Sequence, residues 1–133
     1  MSRINSAQGS FASLGVPTKL IDPLFHDGIS APFPIQTATL PDTLTGRDVL
    51  GRGRTGSGKT LAFSLPLVAR LANLTPAGVT ARTRPNAPRG LILAPTRELA
   101  NQIVATLDPL AKAARLSVMT VFGGVNQNPQ VRH

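Results

Sequence analysis

A glycine-rich stretch near the middle of the chain, Gly53–Thr60, has the residue types and spacing that bind phosphate. It reads Gly-Arg-Thr-Gly-Ser-Gly-Lys-Thr and matches the pattern G-x-x-x-x-G-K-[ST], with a strand pattern before it and a helix pattern after it. The glycines let the backbone curl so that successive N–H groups point inward and form a nest for an anion. A helix that begins here aims the positive end of its dipole at the same phosphates. The stretch therefore predicts binding of a nucleoside triphosphate or diphosphate.

The side chains of this loop have separate expected roles. Lys59 is expected to place a positive charge on the outer phosphates, and the Thr60 hydroxyl is the predicted ligand for Mg²⁺. These two residues are therefore the catalytic candidates. The residues expected to surround the nucleotide are Arg54, Thr55, Gly56, Ser57, Gly58, Lys59 and Thr60. A plain glycine-rich turn is the alternative, and the flanking strand and helix patterns disfavour it.

The charge balance favours a polyanionic partner. The chain has 133 residues, with 14 Lys and Arg against 6 Asp and Glu, and a formal net charge of +8. Most of the basic residues are arginines, which suit phosphate better than lysine does. Alternatively, part of this charge only keeps the chain soluble.

Cysteine usage and hydropathy bear on the compartment. The chain has no cysteine, which excludes disulfides and is compatible with a reducing cytoplasm. It has neither a signal-peptide pattern nor an apolar stretch near the length that spans a membrane. We therefore expect a cytoplasmic protein without a membrane partner.

Alternating strand and helix patterns predict an α/β fold. Residues 1–10 are small and polar, which is typical of a flexible N-terminal arm. Apolar spacing, prolines and glycines predict helices at 17–26, 35–44, 59–74 and 98–115. Short apolar segments predict strands at 48–51, 91–94 and 116–122. A strand–helix–strand–helix–strand order indicates a parallel sheet flanked by helices.

Three motifs in this order resemble those of the DEAD-box ATP-dependent RNA helicases. The segment Gly28–Gln36 (Gly-Ile-Ser-Ala-Pro-Phe-Pro-Ile-Gln) resembles the family's Q motif, and Phe11 lies upstream of it where the family has an aromatic residue. The segment Thr55–Thr60 is similar to motif I, and Ala94–Gln102 (Ala-Pro-Thr-Arg-Glu-Leu-Ala-Asn-Gln) is similar to motif Ia. The doublet Gly123-Gly124 resembles the glycine pair that follows in the family.

The resemblance implies a RecA-like P-loop domain that uses ATP and Mg²⁺. Gln36 carries both a donor and an acceptor, so it can pair with N6 and N7 of adenine and reject guanine; an amide that caps a helix start is the alternative. Phe11 is expected to pack on the adenine face, or else simply in the core. Arg54 stands where the family commonly has glutamine, and we expect it to add a phosphate contact.

The resemblance also implies contacts to the RNA backbone. Pro95, Thr96 and Arg97 lie where a strand leads into a helix, so a hydroxyl, a guanidinium and early helix amides can meet one phosphate. The alternative is an ordinary helix N-cap at Thr96 and a solvated charge at Arg97. Gly124 is expected to allow close approach of RNA, with a hairpin turn as the alternative. Glu98 suits the first helical turn through the dipole and has no expected catalytic role.

The motifs that would complete catalysis are not in this sequence. Phosphoryl transfer needs a carboxylate on Mg²⁺ and a group that activates water, yet the only acids after the P-loop are Glu98 and Asp108. The family's Asp-Glu-Ala-Asp box, Ser-Ala-Thr motif and second domain are missing. We therefore expect residues 11–133 to be the N-terminal part of a helicase ATP-binding domain, incomplete and truncated before that box. Its missing partner is the remainder of the helicase core.

Two other classes of protein remain as alternatives. One is a non-catalytic P-loop module that binds nucleotide or RNA without turnover. The other is a P-loop protein of a different kind, which Gln36 and the segment 95–102 disfavour.

The resemblance also bears on the sheet. In the family, the strands that end in the two missing motifs lie between the strand before the P-loop and the strand before motif Ia. The segments 48–51 and 91–94 are therefore expected to face a gap with unpaired edges, in a loosely held chain.

Overall fold

The computed structural model describes residues 10–54, 58–75 and 88–123. Its regular structure within these ranges consists of four helices, α1 (Thr18–His26), α2 (Pro34–Thr43), α3 (Lys59–Leu71) and α4 (Arg97–Ala113). Their bounds agree with the four predicted helices to within three residues at each end, so these predictions are confirmed. Most of the predicted N-terminal arm, residues 1–9, lies outside the described residues. In the described part of the chain, none of the helices is long and apolar enough to cross a membrane.

Each of these helices is followed, two or three residues after its end, by a residue in the left-handed backbone conformation. After α1, Gly28 has φ +78°; its N–H donates to the Phe25 carbonyl (3.0 Å), and the N–H of Ile29 donates to the Leu24 carbonyl (2.8 Å). This pair of bonds is the Schellman motif, which satisfies carbonyls that the helix leaves open. The same pair of bonds follows the other helices, with left-handed residues at Gly46, Asn73 and Arg115.

Helix α3 lies at the centre of the packing. It contacts both α2 and α4, and α1 packs against α4. Its buried positions cover more than half of the helix circumference and are Leu61, Ala62, Ser64, Leu65, Pro66, Val68 and Ala69. The nearly continuous apolar sequence of α3 predicts burial on more than one face, and that prediction is confirmed.

In the part of the chain that it describes, the structure does not show the predicted parallel sheet. No residue of 48–51, 91–94 or 116–122 is in a hydrogen-bonded strand. These segments nevertheless keep part of the strand pattern. Leu91 and Leu93 are 77% and 84% exposed, while Ile92 between them packs against the core. From 116 to 122, half-buried and exposed residues alternate without a break, which is the period of an extended strand with one packed face.

The reason lies in where each kind of hydrogen bond finds its partner. A helix satisfies its own N–H and C=O groups within a few residues, whereas a strand needs a neighbouring strand. In the resembled family, the neighbours of 48–51 and 91–94 carry motifs that this sequence does not contain. The helices therefore form without them, and the ladder does not.

Replacing Arg115 by glycine is expected to stabilise the chain. Arg115 has φ +60°, where an L-residue with a Cβ is strained, so Arg115→Gly should raise the free energy of unfolding by about 1 kcal/mol. The measurement is the urea midpoint of helix unfolding, followed by circular dichroism.

The matched control is the reverse change at the end of α1. A Cβ at Gly28 meets no atom within 4 Å, so Gly28→Ala adds backbone strain without a clash and should lower the midpoint. An unchanged or lower midpoint in Arg115→Gly would show that the left-handed turn after α4 costs nothing.

Candidate functional site

Gly58 connects the phosphate-binding loop to α3. It is the N-cap of that helix and has φ +86° and ψ 20°, in the left-handed region. A Cβ at this position would lie 2.5 Å from Nε2 of Gln36 and 2.9 Å from Cδ2 of Phe33. Only glycine fits here, because its backbone adopts this conformation and also lies against the start of α2.

The amide of Gln36 makes this contact specific. Its Oε1 accepts from the backbone N–H of Phe33 at 2.9 Å, and its Nε2 donates to the carbonyl of Gly58 at 3.0 Å. The side chain is only 3% exposed, and the Gly58 carbonyl also accepts the first helical N–H of α3, from Ala62, at 3.1 Å. Gln36 thus caps α2 and joins it to the start of α3.

This arrangement is the helix-capping alternative weighed for Gln36 in the sequence. It does not use the whole amide, since the amide group carries two N–H donors and two acceptor lone pairs. One of each remains for a nucleobase, so pairing with adenine stays a prediction.

Lys59 and Thr60 form the first turn of α3, directly after Gly58. The Lys59 side chain is exposed and that of Thr60 is half-buried. The first N–H groups of a helix have no intrahelical partner and carry the positive end of the dipole. A cationic side chain, a hydroxyl and these amides therefore share one end of α3, where they suit the phosphates of a nucleotide.

The rest of the predicted loop is only partly described. Arg54 is exposed, while Thr55, Gly56 and Ser57 lie outside the described residues. Lys59, Thr60 and Gln36 line one end of an open cleft of about 1370 Å³ that continues along the exposed face of 91–93.

The described residues offer little for a metal ion besides Thr60. They contain no group of three or more His, Asp or Glu side chains that could hold one. Mg²⁺ is commonly held by one or two protein groups together with substrate phosphates and waters. A single hydroxyl at the start of α3 therefore fits a Mg²⁺ ion that arrives with a nucleotide, but does not form a site alone.

Phe11 belongs to the hydrophobic core. It is 3% exposed and clusters with Val16, Leu20, Leu44 and other buried side chains. The core alternative for this residue is therefore what the structure shows, and a contact with adenine stays a prediction.

The motif Ia residues begin α4. Thr96 is the N-cap, and its Oγ1 accepts from the N–H of Leu99 at 3.1 Å. Pro95, Thr96 and Arg97 are all exposed, and Glu98 is in the first turn as predicted. The N-cap alternative for Thr96 is thus correct, although its O–H remains able to donate to a phosphate.

Arg97 is not the freely solvated charge of the alternative interpretation. Its Nη2 donates to the carbonyl of Gly123 at 3.1 Å, and its Cζ lies 5.3 Å from the centroid of the Phe122 ring. The structure therefore joins motif Ia to Phe122 and to the first glycine of the doublet. Gly124 itself lies outside the described residues.

The sequence reasoning missed three residues near these segments. The sequence pattern predicts Phe122 only as the last residue of a strand. Its position as an aromatic residue directly before a glycine doublet is the signal that could have identified it. Arg89 donates through Nη2 to the Leu71 carbonyl at the end of α3. A Cβ at Gly90 would lie 2.8 Å from the Leu71 side chain, so the segment that leads into motif Ia is packed directly on α3.

Replacing Gly58 by alanine is expected to disrupt the start of α3. Backbone strain and the displaced Gln36 amide together should lower the free energy of unfolding by about 2–3 kcal/mol. The matched control is Gly51→Ala, because a Cβ at Gly51 meets its neighbours at 3.5 Å or more. Equal denaturation midpoints for the two variants would contradict the close contact between Gly58 and Gln36.

Comparison with known proteins connects these features to a family. The DEAD/DEAH box helicase family matches residues 33–133 of the chain. The chain is 43% identical over 121 residues to DEAD-box ATP-dependent RNA helicase 3B, chloroplastic, of Zea mays, covering 91% of this chain and 16% of that protein. It is 50% identical over 99 residues to ATP-dependent RNA helicase dbp-3 of Neurospora crassa, covering 74% of this chain and 16% of that protein.

A solved structure of an RNA helicase is also similar to this chain. The crystal structure of the RNA-helicase Prp28 from Chaetomium thermophilum bound to ADP matches with a TM-score of 0.69 and 38% identity, over 88% of this chain and 27% of that chain. The chain thus spans 16% of the length of each of the two curated relatives above. The likeness to helicase domains supports the RecA-like α/β class, even though the described residues contain no paired strands. With its motifs in order and these matches over most of its length, the chain belongs to the DEAD/DEAH box helicase family.

Proposed function

We propose that this chain is the ATP- and RNA-binding part of an ATP-dependent RNA helicase that locally separates short RNA duplexes. The observation that carries the proposal is the hydrogen bond from Gln36 to the Gly58 carbonyl. It supports the proposal because Gln36, which we expect to read the base, contacts Gly58, the last glycine of the predicted phosphate-binding stretch. The maize and Neurospora relatives are named as ATP-dependent RNA helicases, and the Prp28 structure holds ADP.

In the proposed nucleotide site, the phosphates lie at the start of α3. The exposed Lys59 contacts the outer phosphates, together with the N–H groups at the start of α3. The Thr60 hydroxyl would hold Mg²⁺, which would supply positive charge to neutralise the phosphates. Arg54 adds a positive charge that contacts phosphate. The remaining N–H donor and acceptor lone pair of the Gln36 amide pair with adenine.

The proposed RNA contact is at the start of α4. Pro95, Thr96 and Arg97 are exposed where this helix begins, so the Thr96 hydroxyl, the Arg97 guanidinium and the uncapped first-turn amides lie at one helix end. Contacts of this kind reach phosphate and carry no sequence information, so the proposed RNA binding is independent of base sequence. Gly124 is proposed to line the same contact.

Hydrolysis needs the remainder of the helicase core. In the proposed full-length protein, that part supplies the carboxylate for Mg²⁺, the group that activates water and the arginines that meet the developing charge. Residues 11–133 then form the first part of the ATP-binding domain of a cytoplasmic protein. A non-catalytic P-loop binding module is the alternative function.

Adenine selectivity tests the nucleotide site. A chain that supplies both helicase domains should bind ATP more tightly than GTP. Gln36→Ala should weaken ATP binding by about 1–3 kcal/mol through two lost hydrogen bonds, and tripolyphosphate binding by less. Titration calorimetry with the three ligands gives this comparison. Equal affinities of the unaltered protein for ATP and GTP would rule out the proposed role of Gln36.

Turnover separates the proposal from its alternative. The 133-residue chain is expected to hydrolyse ATP no faster than background, because loss of an arginine finger alone costs about 10³–10⁵ in rate. A chain with the complete core should hydrolyse ATP in response to RNA, whereas a binding module should not. Phosphate release with added RNA is the measurement, and Lys59→Ala is the control. RNA-stimulated release from the short chain that Lys59→Ala abolishes would show that the catalytic carboxylate lies within these residues.

A further inference from the structure

Arg97 has an unusual position for a cation. It is the first residue of α4, where the helix dipole presents its positive end and disfavours another positive charge. An arginine side chain here is expected to turn away from the helix unless other groups hold it. The contacts of its guanidinium therefore decide whether it stays beside the first-turn amides.

Two groups hold the guanidinium: the ring of Phe122, at the end of the extended segment 116–122, and the carbonyl of Gly123 directly after it. The Gly123 carbonyl accepts from Nη2 at 3.1 Å, and the Phe122 ring lies 5.3 Å from Cζ, within the range of a cation–π contact. Phe122 follows the half-buried positions of the alternating pattern that includes Leu116 and Val118, both packed against the core. The ring is thus carried by a segment that is itself anchored.

A guanidinium held in this way keeps most of its hydrogen-bonding capacity. It has five N–H donors, and the carbonyl of Gly123 occupies one of its nitrogens. A cation–π contact with the ring is not a hydrogen bond to an acceptor atom, so the other N–H donors remain for phosphate oxygens. Since a long side chain loses rotational freedom on binding, a preorganised arginine binds phosphate more tightly than a free one.

We propose that Phe122 is a positioning residue for the phosphate contact of Arg97. The ring holds the guanidinium beside the N-terminal amides of α4 so that both meet the same RNA phosphate. This inference rests on the RNA binding proposed above. It adds a residue whose side chain carries no charge and no hydrogen-bonding group, and whose effect on RNA, on this inference, passes through Arg97.

The test is a salt titration of RNA binding. A fluorescent single-stranded oligouridylate is titrated with the 133-residue chain at several salt concentrations, and the affinity and its salt slope are compared among variants. Arg97→Ala should weaken binding and reduce the slope by about one counterion. Phe122→Leu should weaken binding by about two- to fivefold and also reduce the slope, although it removes no charge.

Three further variants make the result specific. Phe122→Tyr keeps the ring and should restore both affinity and slope. Phe122→Met also removes the ring but keeps the apolar bulk, so it should weaken RNA binding as Phe122→Leu does. It serves as the test variant if Phe122→Leu alters the fold. The double change of Arg97→Ala with Phe122→Leu should bind no more weakly than Arg97→Ala alone. Helical circular dichroism and the thermal midpoint of each variant establish that the folds are equal.

The outcomes distinguish the two proposals. An unchanged affinity and slope in Phe122→Leu and Phe122→Met, beside a weakened Arg97→Ala, would overturn this inference and leave the RNA-binding proposal standing. A loss in Phe122→Leu that adds fully to that of Arg97→Ala, with an unchanged slope, would mean that the ring contacts RNA directly and would also overturn it. If Arg97→Ala binds RNA as tightly as the unaltered chain, the RNA contact itself is contradicted, and this inference with it.

Discussion

The hydrogen bonds of the Gln36 amide determine how the start of α2 meets the start of α3, the two parts of the proposed nucleotide site. Buried amide groups must find partners, and this one joins the N–H of Phe33 to the carbonyl of Gly58, which is 22 positions from Gln36 in the sequence. Because Gly58 is also the left-handed N-cap of α3, the contact fixes where that helix begins. The positions of the Lys59 and Thr60 side chains follow from it. The site thus depends on a side chain that the phosphate-binding pattern does not include.

Helix α3 carries this constraint through the rest of the chain. Its first residue follows Gly58, and its last residue, Leu71, accepts a hydrogen bond from the Arg89 side chain. Arg89 and Gly90 lead directly into the segment before motif Ia. The segments proposed to bind nucleotide and RNA are therefore attached to opposite ends of one helix.

Local features of the sequence predicted the helices well and the side-chain partners poorly. Glycines identified the ends after α1 and α2, but the left-handed turn at Asn73 ended α3 earlier than its apolar pattern suggested. The phosphate-binding pattern identified Lys59 and Thr60 through spacing alone. The partners of Arg89 and Arg97 are backbone carbonyls far away in the sequence, and any residue supplies a carbonyl. No residue pattern encodes such a contact, so only the fold could show it.

The predicted sheet shows a different limit of sequence-based prediction, because the strand pattern is present in the structure and the strand pairing is not. The exposure of residues 116–122 alternates as in a strand, and Leu91 and Leu93 face away from the core as alternate strand residues do. Side-chain burial against the helices is enough to keep these segments extended, with one face packed on the helices. Ladder hydrogen bonds require the backbone of a second strand, and in this family that strand is not the next one along the chain. Hydrophobic periodicity therefore identifies which residues face the helices, whereas the order of strands in the whole domain decides whether a sheet forms.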